Sequence, residues 1–579
     1  MKNFSQYSRS ILFLLGNRKN RIPWLILAFL ASSLLEVIGI SLIAPYISLI
    51  INPGSFLENN NFPFIDLLSS YGSGDKLIIA FGFLLILVFI VKTLVVILIN
   101  FLIIRFSYTQ ELQVRTFLMR SYQTMPYIEY TKRNSAEYIF NINGLASQFS
   151  QSIVQSWLRL FSEGIVTFSI ILLLAFTDIY SLVALILLIS TLLLVFWYVF
   201  NIPLKNLGKK SNDSNRQMVK AINEGMSGFK EIKVLQKEKY FYNKVKISSR
   251  AYSKAGIMTG VIQSMPRYLL ELILIIFIIL IIYISLLFNK DMSSILPILA
   301  MFGVAAMRLI PSVNQIMNSA LRLRQGQNSV DILVDDYKKL INRQEREPLR
   351  VSKSKAENLI FKELEFRRIQ FSYPQSKIKV IEDVSFLIKS GDSIGIMGPS
   401  GSGKTTLIDI MLGLLIPQKG KVLINGLQIS NILDEWRSKV AYLPQEVFLI
   451  DDTLRRNIAL EDSDNFIDEE RLQEAIRKSQ LDVFVSELPN GLDTIIGEKG
   501  VQISGGQRQR VSLARAFYYD RDILVMDEST SALDSETEKE IIDEIKFLHG
   551  KKTLIVIAHS LTTLKYCDRI YKIDKGTII

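Results

Sequence analysis

Long apolar stretches are the feature that most constrains the fold of this 579-residue chain. A helix needs about 20 consecutive apolar residues to cross the hydrocarbon core of a bilayer. Stretches of this kind lie at residues 22–51, 77–104, 163–176 (the apolar end of a pattern that begins near residue 138), 179–200, 269–288 and 295–316. We therefore predict six membrane-spanning helices. Residues 1–20 mix charges with a short apolar run and predict an interfacial amphipathic helix.

The basic residues predict the orientation of these spans. Residues 1–349 carry 35 basic and 20 acidic side chains, whereas residues 350–579 carry 32 and 35. Lys and Arg concentrate in the connections 105–133 and 205–254, while 52–76 is poor in them. The positive-inside rule then places both termini in the cytoplasm. The long cytoplasmic connections are predicted to be helical and to extend the spans beyond the membrane.

Composition excludes several classes of protein. The net charge of +12 would suggest a nucleic-acid partner, but a hydrophobic share of 49% with six apolar stretches excludes a soluble nucleic-acid binder and a disordered chain. The single cysteine, Cys567, cannot form an intramolecular disulfide. With only two histidines in addition, little is left for a structural zinc site.

Charged residues inside or beside the apolar stretches have two interpretations. The cations Lys92, Arg267 and Arg308 lie there with the acids Glu36 and Glu271. Such groups face a cavity or a partner, because a cation in lipid is costly. They either form internal ion pairs that hold helices together or provide a basic cavity for an anionic substrate. Three cations against two acids favour the second interpretation slightly.

The C-terminal part of the chain has a different pattern. Residues 343–357 are charged, contain Pro348 and lack periodicity, which predicts a linker. Apolar strands then alternate with helical patterns, as in α/β domains. The predicted organisation is a polytopic α-helical membrane domain at 1–342, a linker at 343–357 and an α/β P-loop domain at 358–579.

The strongest motif is a phosphate-binding loop between a predicted strand at 393–397 and a predicted helix at 405–415. Its residues match G-x-x-x-x-G-K-[ST], so backbone N–H groups are expected to surround the phosphates of ATP. Lys404 is expected to reach the β- and γ-phosphates, and the Thr405 hydroxyl to bind Mg²⁺. The candidate ATP-binding residues here are Gly398, Ser400, Gly401, Ser402, Gly403, Lys404, Thr405 and Thr406.

A second motif is an apolar strand that ends in two acids, Asp527 and Glu528. Asp527 is expected to hold the water shell of Mg²⁺, and Glu528 to orient or deprotonate the attacking water. Together with the phosphate loop, this strand indicates an ATPase.

The order of the motifs resembles that of ATP-binding cassette (ABC) proteins. Ser504, Gly505, Gly506 and Gln507 are similar to the family's signature, with Ile503 where Leu is usual. The resemblance implies further roles: Tyr373 stacks on adenine, Gln445 contacts Mg²⁺ and links nucleotide to the membrane domain, Asp534 crosses the dimer interface, and His559 contacts the γ-phosphate. His549 is interpreted as a surface residue, and Cys567 as a residue without a functional role in or near the last pair of strands.

The resemblance also implies a dimer, because in this family the phosphate loop of one cassette faces the signature of the other. This chain has one membrane half and one cassette, so it resembles a half-transporter whose partner is a second copy of itself. ATP and Mg²⁺ are the implied cofactors. Residues 223–234 are similar to the second coupling helix of ABC exporters, and the first is expected near residues 125–131.

A narrower resemblance is to the lipid-linked oligosaccharide flippases of bacterial protein N-glycosylation. It is carried by residues 36–48, by 265–271 around Arg267 and by 307–314 around Arg308. The resemblance implies that Lys92, Arg267 and Arg308 meet a substrate pyrophosphate, with Gln315 where another base is expected. It also implies a bacterial inner-membrane location. The loop 52–74 is long for an ABC exporter, and its segment 62–68 could form a short helix on the outer membrane surface.

Two alternatives remain open. The chain could export a peptide, toxin or drug, although spans that begin near residue 22 and a lone Cys567 disfavour an N-terminal cysteine peptidase domain. It could also be a nucleotide-gated regulator or channel that moves little cargo, which the intact Glu528 disfavours.

Overall fold

The computed structural model describes residues 4–51, 74–176, 179–287, 292–346, 359–374, 376, 378–461, 463–497, 503–527, 546–558 and 564–579. The chain forms two compact units. The first comprises Met1–Met125 and Thr131–Leu349, and the second comprises Pro126–Tyr130 and Arg350–Ile579.

The described residues up to 346 are almost entirely helical, and all of them except Pro126–Tyr130 belong to the first unit. Through residue 346 the α-helices are α1 (Phe4–Leu15), α2 (Ile22–Ser41), α3 (Ile43–Ile51), α4 (Gly74–Gln123), α5 (Tyr127–Tyr130), α6 (Ser135–Phe140), α7 (Gln155–Ala175), α8 (Ile179–Ser227), α9 (Phe229–Val234), α10 (Glu238–Leu287), α11 (Met292–Gln325) and α12 (Gln327–Arg346). A 3₁₀ segment, Gly16–Arg21, joins α1 to α2, and π-helical segments at Asn141–Leu145 and Gln148–Val154 join α6 to α7. Helices suit this sequence because they satisfy every backbone hydrogen bond internally, as a bilayer requires.

The described part of the chain contains 5 segments long and apolar enough to cross a membrane. They are Ser5–Ile47, Ile78–Gln123, Ser135–Ala175, Leu182–Ser227 and Glu238–Leu280. The sixth predicted span, 295–316, coincides with α11, in which several of the first side chains lie outside the described residues. Helices of 49 and 50 residues are about 75 Å long at about 1.5 Å per residue. They therefore extend well beyond a hydrocarbon core of about 30 Å, as predicted.

Helix α1 is present where the sequence predicts an amphipathic helix. Its apolar face, including Tyr7 and Ile11, is buried in a cluster with Trp157 of α7 and Leu333 of α12. Gln110 Nε2 donates to the carbonyl of Leu14 at 3.1 Å. This face of α1 therefore packs against helices of its own unit.

A buried polar cluster joins α4, α12 and the segment before α7. The guanidinium of Arg133 donates to both oxygens of Asp336, at 2.8 and 3.1 Å. The hydroxyl of Tyr122 donates to Asp336 at 2.7 Å, and the side-chain amide of Asn141 also donates to Asp336, at 3.1 Å. The adjacent carboxylate of Asp336 raises the pKa of Arg133, chiefly through these hydrogen bonds.

Three regions bear on predictions made from the sequence. Helix α12 continues to Arg346, four residues into the predicted linker, and the rest of that linker lies outside the described residues. The loop 52–74, with its predicted helix at 62–68, lies almost entirely outside them. The segment predicted as the first coupling helix forms α5, and Ile128 packs against the core of the second unit.

The second unit is an α/β fold. A six-stranded sheet has the order β12-β11-β3-β10-β9-β6, and an antiparallel sheet has the order β2-β1-β4-β5. The strands are β1 (Glu363–Phe371), β2 (Ile381–Lys389), β3 (Ser393–Met397), β4 (Lys419–Ile424), β5 (Leu427–Gln428), β6 (Val440–Leu443), β7 (Asp452–Thr453), β8 (Ile495–Ile496), β9 (Ile523–Asp527), β10 (Thr553–Ile557), β11 (Arg569–Asp574) and β12 (Thr577–Ile578). The described helices are α13 (Lys404–Met411), α14 (Leu433–Arg437), α15 (Leu454–Ala459), α16 (Glu469–Lys478), α17 (Asp482–Glu487) and α18 (Gly505–Tyr518).

Buried apolar strands position the candidate site. Strands β9 and β10 are buried throughout and β3 nearly so, as expected for parallel strands covered on both faces. Helix α13 packs Leu407 and Ile408 into the same core. A second core, which includes Leu454, Leu472 and Val511, holds α15, α16 and α18 together.

Candidate nucleotide site and charged residues of the membrane unit

The loop between β3 and α13 depends on glycine at two positions. Gly403 has φ +104°, and a Cβ there would lie 2.8 Å from the carbonyl oxygen of Val380. A Cβ at Gly398 would lie 2.2 Å from the carbonyl oxygen of Ile573. The loop therefore passes directly against neighbouring backbone, which only glycine allows.

Polar groups of this loop converge at the start of α13. Lys404 Nζ donates to the carbonyls of Gly398 and Pro399 at 2.9 and 3.1 Å, which places the ammonium across the loop. The buried Ser402 Oγ has no hydrogen-bond partner among the described residues. Together with the N-terminus of α13, these donors fit a phosphate group.

Tyr373 lies beside the same helix. Its hydroxyl is 3.2 Å from Thr406 Oγ1, and its ring contacts Phe371 edge-on with centroids 5.1 Å apart. The ring is partly exposed, as a platform for an adenine base would need to be.

The sheet register brings the predicted acid to the same edge as the loop. Ile396 of β3 pairs with Ile557 of β10, which pairs with Asp527 of β9. Asp527 is buried and accepts a hydrogen bond from Tyr442 at 3.0 Å. Gln445 follows the adjacent strand β6 and is exposed. Thr405 and Asp527 carry oxygen atoms of the kind that Mg²⁺ prefers, so they would be the residues to hold the ion, which would neutralise charge that develops on the phosphates.

An acid that the sequence analysis did not identify lies nearby. Burial raises the pKa of Asp409 on α13 to about 6, and the charge of Asp527 adds to the shift. Nothing local distinguishes Asp409, because its environment depends on strands distant in the sequence.

The signature residues form the start of α18. Ser504 Oγ accepts from the N–H of Gln507 at 3.2 Å, and Gln507 Oε1 accepts from the N–H of Ser504 at 2.8 Å, which is a capping box. Ser504 and Gly505 are exposed, and Gly506 is half-buried. The exposed N-terminus of a 14-residue helix suits an anion that arrives from outside this cassette. Ile503 is buried in the small helical core, where an apolar Ile serves as Leu would.

Of the other residues singled out in the sequence, some lie outside the described residues and the rest lie away from the phosphate loop. Glu528, Asp534 and His559 lie outside the described residues, although Asp527 and Ile557 end at the edge just described. His549 is exposed and lies 3.0 Å from Asp568. Cys567 packs partly buried beside β11, and burial raises the pKa of its thiol to about 11.

In the membrane unit, two of the three candidate cations share one carboxylate. Lys92 Nζ lies 2.7 Å, and Arg308 Nε 2.9 Å, from the same oxygen of Glu36. Arg267 lies elsewhere and pairs with Glu271 at 3.0 Å, one turn along α10. All three candidate cations therefore form ion pairs, as the first interpretation of these charges expects.

The sequence analysis missed a third acid in this region. Glu163 of α7 lies 3.5 Å from Arg308 and accepts a hydrogen bond from Ser312. We interpreted Glu163 only as the start of an apolar run, since nothing in the local sequence pairs it with a residue on α11. With Glu163 included, the three cations face three acids.

The fold and the site define an ATP-binding cassette that follows a helical membrane unit. Residues 26–309 match the family model described as ABC transporter transmembrane region, and residues 381–531 match the model described as ABC transporter. The structure of a bacterial Atm1-family ABC exporter with ATP bound is similar over 97% of this chain and 95% of that chain, with a TM-score of 0.75 at 19% identity. The predicted fold class is confirmed.

Curated relatives point to the same family. The ATP-dependent lipid A-core flippase of Alkalilimnicola ehrlichii is 30% identical over 80% of this chain and 78% of the relative. That of Burkholderia pseudomallei is 31% identical over 66% of this chain, and the match spans 63% of the relative's length. The chain belongs to the ABC transporter family, with the membrane region and the cassette in the order of an exporter half-transporter.

Proposed function

We propose that this protein is an ATP hydrolase that flips a polyprenyl-pyrophosphate-linked oligosaccharide, or a similar glycolipid, from the cytoplasmic to the outer leaflet. It works as a homodimer in a bacterial inner membrane, with both termini in the cytoplasm. We infer the class of substrate from the placement of Lys92, Arg267 and Arg308 within the apolar helices. Because Glu36, Glu163 and Glu271 pair with these cations, the support for an anionic substrate is the exposure of the cations and not an excess of positive charge.

The cassette supports the ATPase part of the proposal. The loop 398–403, the Lys404 ammonium and the N-terminus of α13 form a phosphate cradle. Asp527 lies at the carboxyl edge of the sheet, and the next residue in the chain, Glu528, takes the role of general base. The exposed Ser504 and Gly505 complete the site of the second copy.

Relatives support the lipid part of the proposal. The curated relatives above are named ATP-dependent lipid A-core flippases, and we infer that this chain also moves a lipid, one whose headgroup carries phosphate. Cations that pair with phosphates by charge-assisted hydrogen bonds suit both that class of substrate and a pyrophosphate-linked glycan. We favour the pyrophosphate-linked glycan because of the resemblance around Arg267 and Arg308.

The ATPase is tested by Glu528→Gln. Loss of the base should lower the rate of hydrolysis by about 10²–10⁴-fold while ATP still binds. Glu474→Gln, which removes an exposed partner of Lys478, is the matched control and should retain activity. Undiminished hydrolysis in Glu528→Gln would contradict the assignment.

The substrate is tested by reconstitution in vesicles. A polyprenyl-pyrophosphate-linked oligosaccharide should stimulate ATP hydrolysis and change leaflet, and Arg267→Gln with Arg308→Gln should abolish both effects. If every pyrophosphate-linked lipid fails, an exporter of peptide, drug or another lipid becomes the better assignment. Cargo movement that is unaffected by the two replacements would favour a drug exporter.

A further inference from the structure

One carboxylate, Glu36, lies between two of the candidate substrate cations. It is on α2, Lys92 is on α4 and Arg308 is on α11. A single oxygen of Glu36 accepts from Lys92 at 2.7 Å and from Arg308 at 2.9 Å. Three helices that are distant in the sequence are therefore held together at this oxygen.

The surrounding charges balance. Glu163 adds a second carboxylate at 3.5 Å from Arg308, and the hydroxyl of Ser312 donates to it. Two cations and two acids give this cluster no net formal charge. A basic cavity for an anion therefore does not exist here while all four groups are paired with one another.

Exposure differs sharply between the members. The side chain of Glu36 is 1% exposed, whereas those of Lys92, Glu163 and Arg308 are 16%, 22% and 27% exposed. An anion that approaches from the accessible side therefore meets the two cations and Glu163, but not Glu36. Glu36 contacts the cations from the buried side.

We propose that Glu36 is an internal competitor for the substrate anion, which a pyrophosphate must displace from Lys92 and Arg308. This inference rests on the proposed function, because it assumes that these cations bind the lipid headgroup. A pyrophosphate carries several negative oxygens and can engage both cations at once, whereas an uncharged lipid cannot. Glu36 thereby sets both the affinity and the charge selectivity of the site.

The physical basis is the cost of an unpaired buried charge. A carboxylate in an apolar interior is tolerated only when cations and hydrogen bonds compensate it. Each cation that turns to the substrate withdraws part of that compensation from Glu36. Substrate binding is weakened accordingly, which favours release after translocation.

The test compares binding of undecaprenyl pyrophosphate, with undecaprenol as the uncharged control, to the full-length protein in nanodiscs. Glu36→Gln keeps the shape and removes the charge, so affinity for the pyrophosphate should rise by about tenfold or more, a change of about 1.4 kcal/mol. Binding of undecaprenol should not change. Glu111→Gln, which removes a buried carboxylate paired with Arg115 at 2.7 Å, is the matched control and should bind as the wild type does.

A double-mutant cycle separates competition from a purely structural role. Lys92→Gln should weaken pyrophosphate binding, and the gain from Glu36→Gln should shrink in the Lys92→Gln background because the shared cation is gone. An equal gain in both backgrounds would overturn the proposal that Glu36 and the lipid share Lys92. Should Glu36→Gln fail to fold, Glu36→Asp, whose shorter side chain cannot hold both cations, should tighten binding to a smaller extent.

Two failures are distinguishable. If wild-type protein binds undecaprenyl pyrophosphate and neither Glu36 variant binds it more tightly, the inference about Glu36 is overturned and the proposed function stands. If no variant, wild type included, prefers the pyrophosphate to undecaprenol, the proposed lipid function fails and this inference fails with it.

Discussion

Replacing Gly398 with Ala tests whether the phosphate loop depends on close contact with the backbone of β11. The added Cβ would lie 2.2 Å from the carbonyl oxygen of Ile573 and 2.8 Å from Ser402 Oγ. Ordinary contact begins at 3.4 Å, so the loop or the strand must move by about 1.2 Å. Ile573 is fully buried, and its neighbour Lys572 pairs with Met397 of β3, so the sheet holds strand β11 in place. The phosphate loop must therefore be the part that moves.

The size of this shift sets the expected effect. A displacement of about 1 Å in a positioning element costs about 10²-fold in rate. This corresponds to about 2.7 kcal/mol of transition-state stabilisation. We therefore expect Gly398→Ala to lower ATP hydrolysis by about two orders of magnitude and to weaken nucleotide binding.

The assay measures steady-state ATP hydrolysis and binding of a fluorescent ATP analogue in detergent-solubilised protein. Gly426→Ala is the control, because Gly426 has φ +81° but no neighbouring heavy atom within 4 Å of the added Cβ. It introduces backbone strain of about 1–2 kcal/mol away from the loop and should leave nucleotide affinity unchanged. Wild-type affinity and turnover in Gly398→Ala would refute the argument from close approach.

Two further predictions concern buried groups. Asp336→Asn removes the charge that Arg133, Tyr122 and Asn141 surround, so it should destabilise the protein by up to about 3–5 kcal/mol and lower its thermal midpoint. Asp335→Asn, at the exposed neighbouring residue, is the control. Equal thermal midpoints in the two variants would contradict the prediction. Burial raises the pKa of the Cys567 thiol to about 11, and only the thiolate reacts with an alkylating reagent. At pH 8, Cys567 should therefore be alkylated about two orders of magnitude more slowly in the folded protein than after unfolding. Equal rates in the two states would contradict its burial.

The parts of the site that could be predicted from the sequence are local in the chain. The phosphate loop combines a buried strand, glycines and a helix within about a dozen residues, so its pattern alone specifies a strand–loop–helix unit. Helix α13 is shorter than predicted because Gly413, at φ +65°, follows its last turn. A glycine beyond the last turn is a common stop for a helix.

Contacts between distant segments could not be predicted in this way. Asp336 and Tyr122 are separated by 214 residues, and Arg308 and Glu36 by 272. Helical periodicity relates only residues three or four apart, so it pairs Arg267 with Glu271 but cannot pair Glu163 with Arg308. The raised pKa of Asp409 has the same origin, since its main cause is burial in the folded domain, to which the charge of the distant Asp527 adds.

The distinction between local and distant pairs changes how the membrane charges are interpreted. Counting side chains gave three cations and two acids, a small excess that favoured an anion site. With Glu163 the counts are equal, so charge excess no longer supports that site, and accessibility becomes the deciding quantity. Arg267 is 67% exposed and its partner Glu271 is 50% exposed, so this pair is more accessible than the cluster around Glu36. We therefore expect an anionic headgroup to engage Arg267 first, and to reach Lys92 and Arg308 only by displacing Glu36.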